Sequence, residues 1–451
     1  MPLSIADLRL ILSALFGIAL AVLLIVKGRL HPFIGLLCGA FAVGAAAGLP
    51  LADTAAAVQK GVGDILGGTG LIVALGLSLG AMLQLSNGAA SLARAGLALS
   101  GEKGAPWASL LVAILIGLPL FFETGLVLLL PIVAAAAAGL GKGARASDAA
   151  KLRLMLSALA GLSVVHALVP PHPGPLLAVN VIGADLGRTI LLGLLIALPT
   201  GAIAGPVLAA FTARRVTISE PIIAVHEAEV ATPGNGASLT VVLMPVILIA
   251  AAQLAALLPP GSREAGRWLA VAGNPVIALL ITNLVALPLL FGRRLRDAAI
   301  QEAIWTDTMR SAGAILLAIG AGGALKQVLV TAGLSDLLGR LATHQAVSPL
   351  LLAWLVAVGI RLATGSATVA TVTTVGIMAG VVKTTGASPE LTVLAIGSGS
   401  VFFSHVNDPG FWLVKSYLGT STADTFRTWS ALETVISVLG LVAVLALSYV
   451  V

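Results

Sequence analysis

Two ionisable residues stand alone in long apolar stretches. Glu123 is the only charged residue between Pro106 and Leu140, and Arg361 is the only one between Ser348 and Val382. A charged side chain at the centre of an apolar membrane segment costs about 2.5–3.5 kcal/mol on insertion scales. Glu123 therefore needs a partner, a proton or water. In a functional role it carries a proton or binds substrate hydroxyls; in a structural role it is buried against a basic residue or a backbone N–H. Arg361 has two comparable readings. Its guanidinium can clamp a carboxylate through two parallel bonds, or it forms a salt bridge with Glu123 or Asp408 that holds its own segment.

Other polar groups cluster near these two. Asp408 and His405 are three residues apart, and His172 lies within Pro170-Pro171-His172-Pro173-Gly174-Pro175. A histidine near neutral pH and a desolvated aspartate suit a proton relay, so Glu123, Asp408 and His405 are the proton-coupling candidates. Asp408 also fits the N-cap of a helix beginning near Phe411. His166 and His172 have the simpler alternative of bonding a carbonyl freed by the prolines, and for His166 that reading is preferred. The polar side chains of Thr124, Thr364, Ser366, Thr368, Ser404 and Asn407 suit a polyhydroxy anion, or else bond their own helices. Gly125, Gly174, Gly365 and Gly410 let backbone approach a ligand closely. With Phe122, Glu123, His172, Arg361 and Asp408, these residues form the expected substrate site. Six histidines and one cysteine show no metal-ligand spacing. No phosphate-binding loop is present, so no metal, no cofactor and no ATP-driven step is expected.

The elements that position these groups follow from composition. The 451 residues are 58% hydrophobic and 10% charged, with a mean hydropathy of +1.07. Soluble domains are nearer 25% charged. That excludes a cytosolic enzyme, a secreted module and a nucleic-acid binder, although the net charge is +6; basic cytoplasmic loops account for such an excess. An all-α polytopic membrane protein is expected, with room for about a dozen segments of ~20 residues. The first apolar run, 10–26, is followed by Lys27-Gly28-Arg29 and reads as a retained span.

Two apolar stretches, 106–140 and 348–382, are too long for one span and too short for two. Each is broken in the middle, by Pro119–Gly125 and by Arg361–Thr368. Arms of about 13–17 residues cover only ~20–26 Å, less than the ~30 Å hydrocarbon core. Both read as re-entrant hairpins whose tips are lined by protein or by a water-filled cavity. The stretches 152–182 and 391–417 contain the proline-glycine clusters and read as broken helices. The polar stretch 212–238 reads as a cytoplasmic linker between an N-terminal half (1–211) and a C-terminal half (239–451). With the N-terminus outside, basic residues favour the inside by about two to one, and the two hairpins enter from opposite sides. A weak internal repeat agrees: Gly80-Ala81-Met82-Leu83-Gln84 echoes Gly323-Ala324-Leu325-Lys326-Gln327, and His172-Pro173-Gly174 echoes Asp408-Pro409-Gly410. Asp185-Leu186-Gly187-Arg188-Thr189 likewise echoes Asp424-Thr425-Phe426-Arg427-Thr428. Inverted repeats with discontinuous helices mark secondary transporters. No nucleophile–base motif supports an intramembrane enzyme, and a sodium-coupled carboxylate carrier is the competing transporter reading.

Particular segments carry a family resemblance. GLPLFFETGLVLLLPIV (117–133), HALVPPHPGPLLAVNVIGADLG (166–187), the Thr-Gly-Ser-Ala-Thr run (364–368) and SHVNDPGFWLVKSYLG (404–419) resemble the gluconate permease family of bacterial proton symporters. The resemblance implies import of gluconate or a related sugar-acid anion with protons across the bacterial inner membrane. It also implies the ion-transporter architecture, in which a hairpin-bearing transport domain slides past a dimeric scaffold in an elevator-type cycle. The expected partners are thus a small organic anion, protons, the lipid bilayer and a second copy of the chain, with no nucleic acid. Relatives carry other hexonates, hexuronate-like acids and D-serine, so the resemblance leaves the substrate open.

Overall fold

The computed structural model describes residues 4–137, 144–218, 233–255, 263–334, 337, 348–405 and 408–450. Among them every regular element is helical. The order begins α1 (Ile5–Val26), α2 (Pro32–Ala47), α3 (Leu51–Leu85), α4 (Gly88–Ala98), α5 (Gly101–Gly117), α6 (Phe122–Ala137), α7 (Ala144–Leu168), α8 (Pro173–Ile182) and α9 (Leu186–Ala202). It continues with α10 (Asn235–Ala255), α11 (Arg263–Ala272), α12 (Pro275–Phe291), α13 (Ala298–Thr331), α14 (Pro349–Thr364), α15 (Ala367–Thr385), α16 (Pro389–Ser400), α17 (Pro409–Leu418) and α18 (Ala431–Leu447). By length and composition seven helices among the described residues can cross a membrane, or eight if the bent pair Leu51–Gly68 and Gly70–Leu85 is one span.

Local chemistry sets the helix ends. Proline at the first turn, behind a polar cap, opens α2, α8, α12, α14, α16 and α17. Its missing N–H would have no helical partner there anyway. Left-handed glycines close α2, α8, α14, α15 and α17, which only a residue without Cβ does at no steric cost. These paired signals break the apolar stretches where a continuous helix would otherwise run on.

One order of elements occurs twice: a long helix (α3, α13), a helix pair (α5/α6, α14/α15) and a broken helix (α7/α8, α16/α17). The short arms correspond in detail. Both α8 and α17 are ten residues, begin Pro-Gly behind His172 or Asp408, and end on a left-handed glycine, Gly183 or Gly419. The long helices pack along each other and cross at Gly61 and Gly323, where a Cβ on either would strike the other's carbonyl oxygen. The end of α7 is gripped in a similar way: Gly193 of α9 lies against the Leu168 carbonyl, and Gly397 of α16 against that of Ala167. The chain breaks immediately afterwards.

The elements depart from the sequence expectation in three places. Hydropathy starts segments at 68 and 312, yet α3 starts at Leu51 and α13 at Ala298; in α3, helix formation tolerates the exposed Lys60–Asp64 pair, 2.7 Å apart at i,i+4. The arms of the second helix pair are unequal, 16 and 19 residues; Thr384 and Thr385 bond the carbonyls of Gly380 and Val381, 2.6 and 2.7 Å away, and carry α15 on to Gly386. In the 212–238 segment, helical structure persists through Arg215 and resumes at Asn235, while 219–232 lies outside the described residues.

Candidate functional site

Both helix-pair breaks and one broken helix meet at a cavity of about 480 Å³. Phe122 and Glu123 reach it from the first turn of α6, Thr364 and Gly365 from the end of α14, and Ser366, Ala367 and Thr368 from the start of α15. Asp408, Pro409 and Gly410 come from the start of α17, and Ser163 and His166 from α7. Trp429 and Glu433 join the wall from the π turn Phe426–Ser430 and from α18, and Ile25, Pro32 and Val401 add apolar surface. First turns of three helices thus border one space. Their aligned peptide dipoles amount to roughly half a positive charge per helix end, a setting that favours an anion, with the α17 end already met by the Asp408 carboxylate.

Arg361 is 4% exposed and is held from two sides. One guanidinium nitrogen donates to the Asp408 carboxylate and the other to the Gly365 carbonyl, at 2.6 Å. Its Nε has no partner among the described residues. Asp408 caps α17 through the Gly410 N–H at 2.7 Å and also accepts from the Ser404 hydroxyl. Ser404 in turn accepts from the Trp429 indole N–H at 2.8 Å, and its carbonyl accepts from the Ser430 hydroxyl. One connected network therefore runs from α14 through the α16–α17 break to the helix beyond it. Breaking a buried ion pair by removing one partner costs about 3–5 kcal/mol, so these breaks are fixed relative to each other.

The expected site residues separate into two groups. Phe122, Glu123, Arg361, Thr364, Gly365, Ser366, Thr368, Asp408 and Gly410 line the cavity. Thr124, Gly125, His172, Gly174, Ser404 and His405 do not, and Asn407 lies outside the described residues. His172 is buried, with Nε2 donating to the Gly117 carbonyl at 2.7 Å, an orphan acceptor at the end of α5. This is the carbonyl contact foreseen for His166 in the first place. His166 instead lines the cavity, with its ring 5.4 Å from that of His172 and 5.9 Å from that of Phe122, and its Nδ1 has no partner among the described residues. Gly125 packs on Leu162, and Gly174 on Thr371. Nε2 of His405 lies 3.2 Å from the Leu362 carbonyl. Thr124 faces a second cavity of about 320 Å³, bordered by Gln84, Asp307 and Arg310. Glu123 is exposed and borders both cavities.

Sequence reasoning missed Glu433 and Trp429. Glu433 is 2% exposed and accepts from the Ser163 hydroxyl. It is the only charge in 429–451, so the criterion that singled out Glu123 and Arg361 also finds it. Trp429 stacks on Phe122 at 5.4 Å, a contact between distant segments that no local pattern announces.

The family model described as GntP family permease matches residues 9–450. The chain is 44% identical to a gluconate permease of Pseudomonas aeruginosa, over 98% of each chain. It is 40% identical to a high-affinity gluconate transporter of Escherichia coli K12 (96% of this chain, 98% of the other), and 37% identical to an L-idonate transporter of the same organism (96% and 97%). The crystal structure of the YdaH transporter of Alcanivorax borkumensis superposes with a TM-score of 0.59 over 87% of each chain, at 16% identity. That likeness concerns the fold.

Proposed function

Because the chain belongs to the GntP permease family, we propose that it imports gluconate, or a closely related hydroxy-acid anion, by proton symport across the bacterial inner membrane. The carrying observation is the meeting of a buried Arg361 with the first turns of α6, α15 and α17 at one cavity. Its volume lies within the roughly 300–1,000 Å³ usual for small-molecule sites. In this reading Arg361 and the helix N-termini attract the substrate carboxylate. The hydroxyls of Thr364, Ser366 and Thr368 bond the sugar-acid hydroxyls, Gly365 and Gly410 admit the ligand close to backbone, and Phe122 with Trp429 forms an apolar wall. Gly125, His172, Gly174, Ser404 and His405 stand behind the residues that line the cavity, and Thr124 faces the second one. Glu123, open to two cavities, is the acid that exchanges protons with water. Asp408 holds Arg361 in place, with His405 beside it.

The architecture assigned to this function is an inverted repeat of 1–211 and 239–451 about the 212–238 linker. Its hairpins lie at 106–140 and 348–382, and its broken helices at 152–182 and 391–417. The duplicated element order supports it, as do the short arms: 16 or 17 residues in α5, α6 and α14 reach only ~24–26 Å. An elevator-type cycle in a homodimer follows from the same assignment.

The test is uptake of labelled gluconate into proteoliposomes. Accumulation under an inward proton gradient, abolished by a protonophore and indifferent to sodium, is expected. Accumulation that needs sodium and ignores the proton gradient would replace the proton by Na⁺.

A further inference from the structure

Among the described residues three carboxylates are buried: Glu390, Asp408 and Glu433. Their surroundings differ. Asp408 accepts from the Arg361 guanidinium, the Ser404 hydroxyl and the Gly410 N–H. Glu390 accepts from the Asp185 N–H at 3.0 Å and the Ser388 hydroxyl at 3.2 Å. Glu433 is the most deeply buried of the three, and its one donor among the described residues is the neutral hydroxyl of Ser163. No Lys or Arg among the described residues is ion-paired with it. Asp408 is thus matched by a cation and two further donors. Glu433 has one neutral donor, and the cation across the cavity, Arg361, is already paired with Asp408; its ionised form is poorly compensated, because burying an unpaired charge is far costlier than burying a neutral acid.

We propose that Glu433 carries the coupling proton, a role that rests on the proton-symport reading. The exchange is balanced. On the outward-facing side an O–H bond forms on the Glu433 carboxylate as a proton arrives from water. On the inward-facing side that bond breaks and the proton leaves to water with the released substrate. The cavity then holds the neutral Arg361–Asp408 pair, a neutral Glu433, the exposed Glu123 at its edge and the substrate anion, which faces the N-termini of α6 and α15. With Glu433 ionised, the same cavity would set a second buried negative charge against the substrate.

The groups facing Glu433 across the cavity are His166 on α7, Arg361 on α14, Asp408 at α17 and Glu123 on α6. The other helices packed on α18 are sparsely charged. α16 carries only Glu390 and α9 only Arg188, each in its first turn, while Arg427 in the π turn is exposed and lies 3.2 Å from Asp424. Glu433 is also mechanically connected to the anion site. It follows the π turn in which Trp429 and Ser430 bond Ser404, the residue that donates to Asp408.

The experiment compares the unmodified protein with Glu433→Gln and Glu433→Asp in proteoliposomes, using labelled gluconate. Gradient-driven accumulation and gluconate–gluconate exchange at equal pH are measured side by side. One proton per anion allows about a tenfold concentration ratio per pH unit, from 1.36 kcal/mol per unit. E433Q, a fixed neutral side chain, is expected to exchange gluconate but to reach a ratio of about one. E433D retains a titrating group and is expected to accumulate gluconate with a displaced pH profile. Accumulation by E433Q equal to that of the unmodified protein overturns the inference. So does loss of exchange in step with accumulation in an E433Q protein that gluconate still stabilises thermally. If E433Q does not fold, an E433D pH profile identical to the unmodified one overturns it. Uptake by the unmodified protein that ignores the proton gradient instead defeats the symport reading itself, so the two failures are distinguishable.

Discussion

Arg361 in the last turn of α14 and Asp408 at the N-cap of α17 form a buried ion pair across 47 positions of sequence. The pair fastens the tip of one helix pair to the break of another helix. A carboxylate-binding arginine would otherwise be an uncompensated charge in an apolar interior. The pairing answers the question that Arg361 raises in the sequence: it holds its own segment and also stands at the cavity wall, with Nε unpartnered.

Asp408→Asn removes the charge partner and should destabilise the protein by about 3–5 kcal/mol, read as a fall in melting temperature. The double variant Arg361→Gln with Asp408→Asn should be more stable than the sum of the two single losses predicts, because neither charge is then stranded. Substrate binding should not return in it. Strictly additive losses would show that the pair is not coupled.

Arg361→Lys should fail as a replacement. A guanidinium reaches the Gly365 carbonyl and the Asp408 carboxylate at once, whereas an ammonium on a flexible stem is a point donor. Gluconate should stabilise this variant by a smaller thermal shift than it does the unmodified protein. An undiminished shift would remove Arg361 from the binding site.

Glu123→Gln should slow gradient-driven uptake by about a hundredfold, at the low end of what a positioned proton-transfer group contributes. The final accumulation ratio should be preserved, because Glu433 still titrates. Initial rates and plateau levels measured in one time course separate these effects. An equal loss in exchange would identify Glu123 as a substrate ligand.

His172→Ala leaves the Gly117 carbonyl without its donor in a buried position and should cost about 1–3 kcal/mol. The loss should appear in thermal stability rather than in gluconate affinity, since His172 does not face the cavity. An affinity loss as large as the stability loss would place it in the binding site after all.

Gly323→Val puts a side chain into the carbonyl of Gly61 and should cost about 1–3 kcal/mol by forcing α3 and α13 apart. Gly63→Ala is the control, because nothing lies within 4 Å of its added Cβ. Comparable melting temperatures for the two variants would mean that the crossing does not depend on glycine.

Sequence alone determined the all-helical membrane character, because 10% charge cannot cover a water-soluble surface. It also located the chain breaks, since proline, glycine and polar caps act over one or two turns of backbone. Glu123, Arg361 and Asp408 were legible for a related reason: a rare charge in an apolar run is conspicuous. Glu433 met the same criterion and was still missed, because no proline–glycine cluster breaks its segment, where Gly440 stands alone within the helix. The sequence placed α3 and α13 too short, since hydropathy registers lipid exposure and not helix length.

Only the tertiary structure decided which polar groups meet. Arg361 chose Asp408 over Glu123, His172 was drawn to the end of α5 while His166 faced the cavity, and Glu433 joined Ser163 from 270 positions away. Caps and breaks depend on neighbours along the chain, so they are written locally. Ion pairs and cavity walls depend on which helices pack together, and that is fixed by close crossings such as Gly61 on Gly323, whose partners the sequence does not pair.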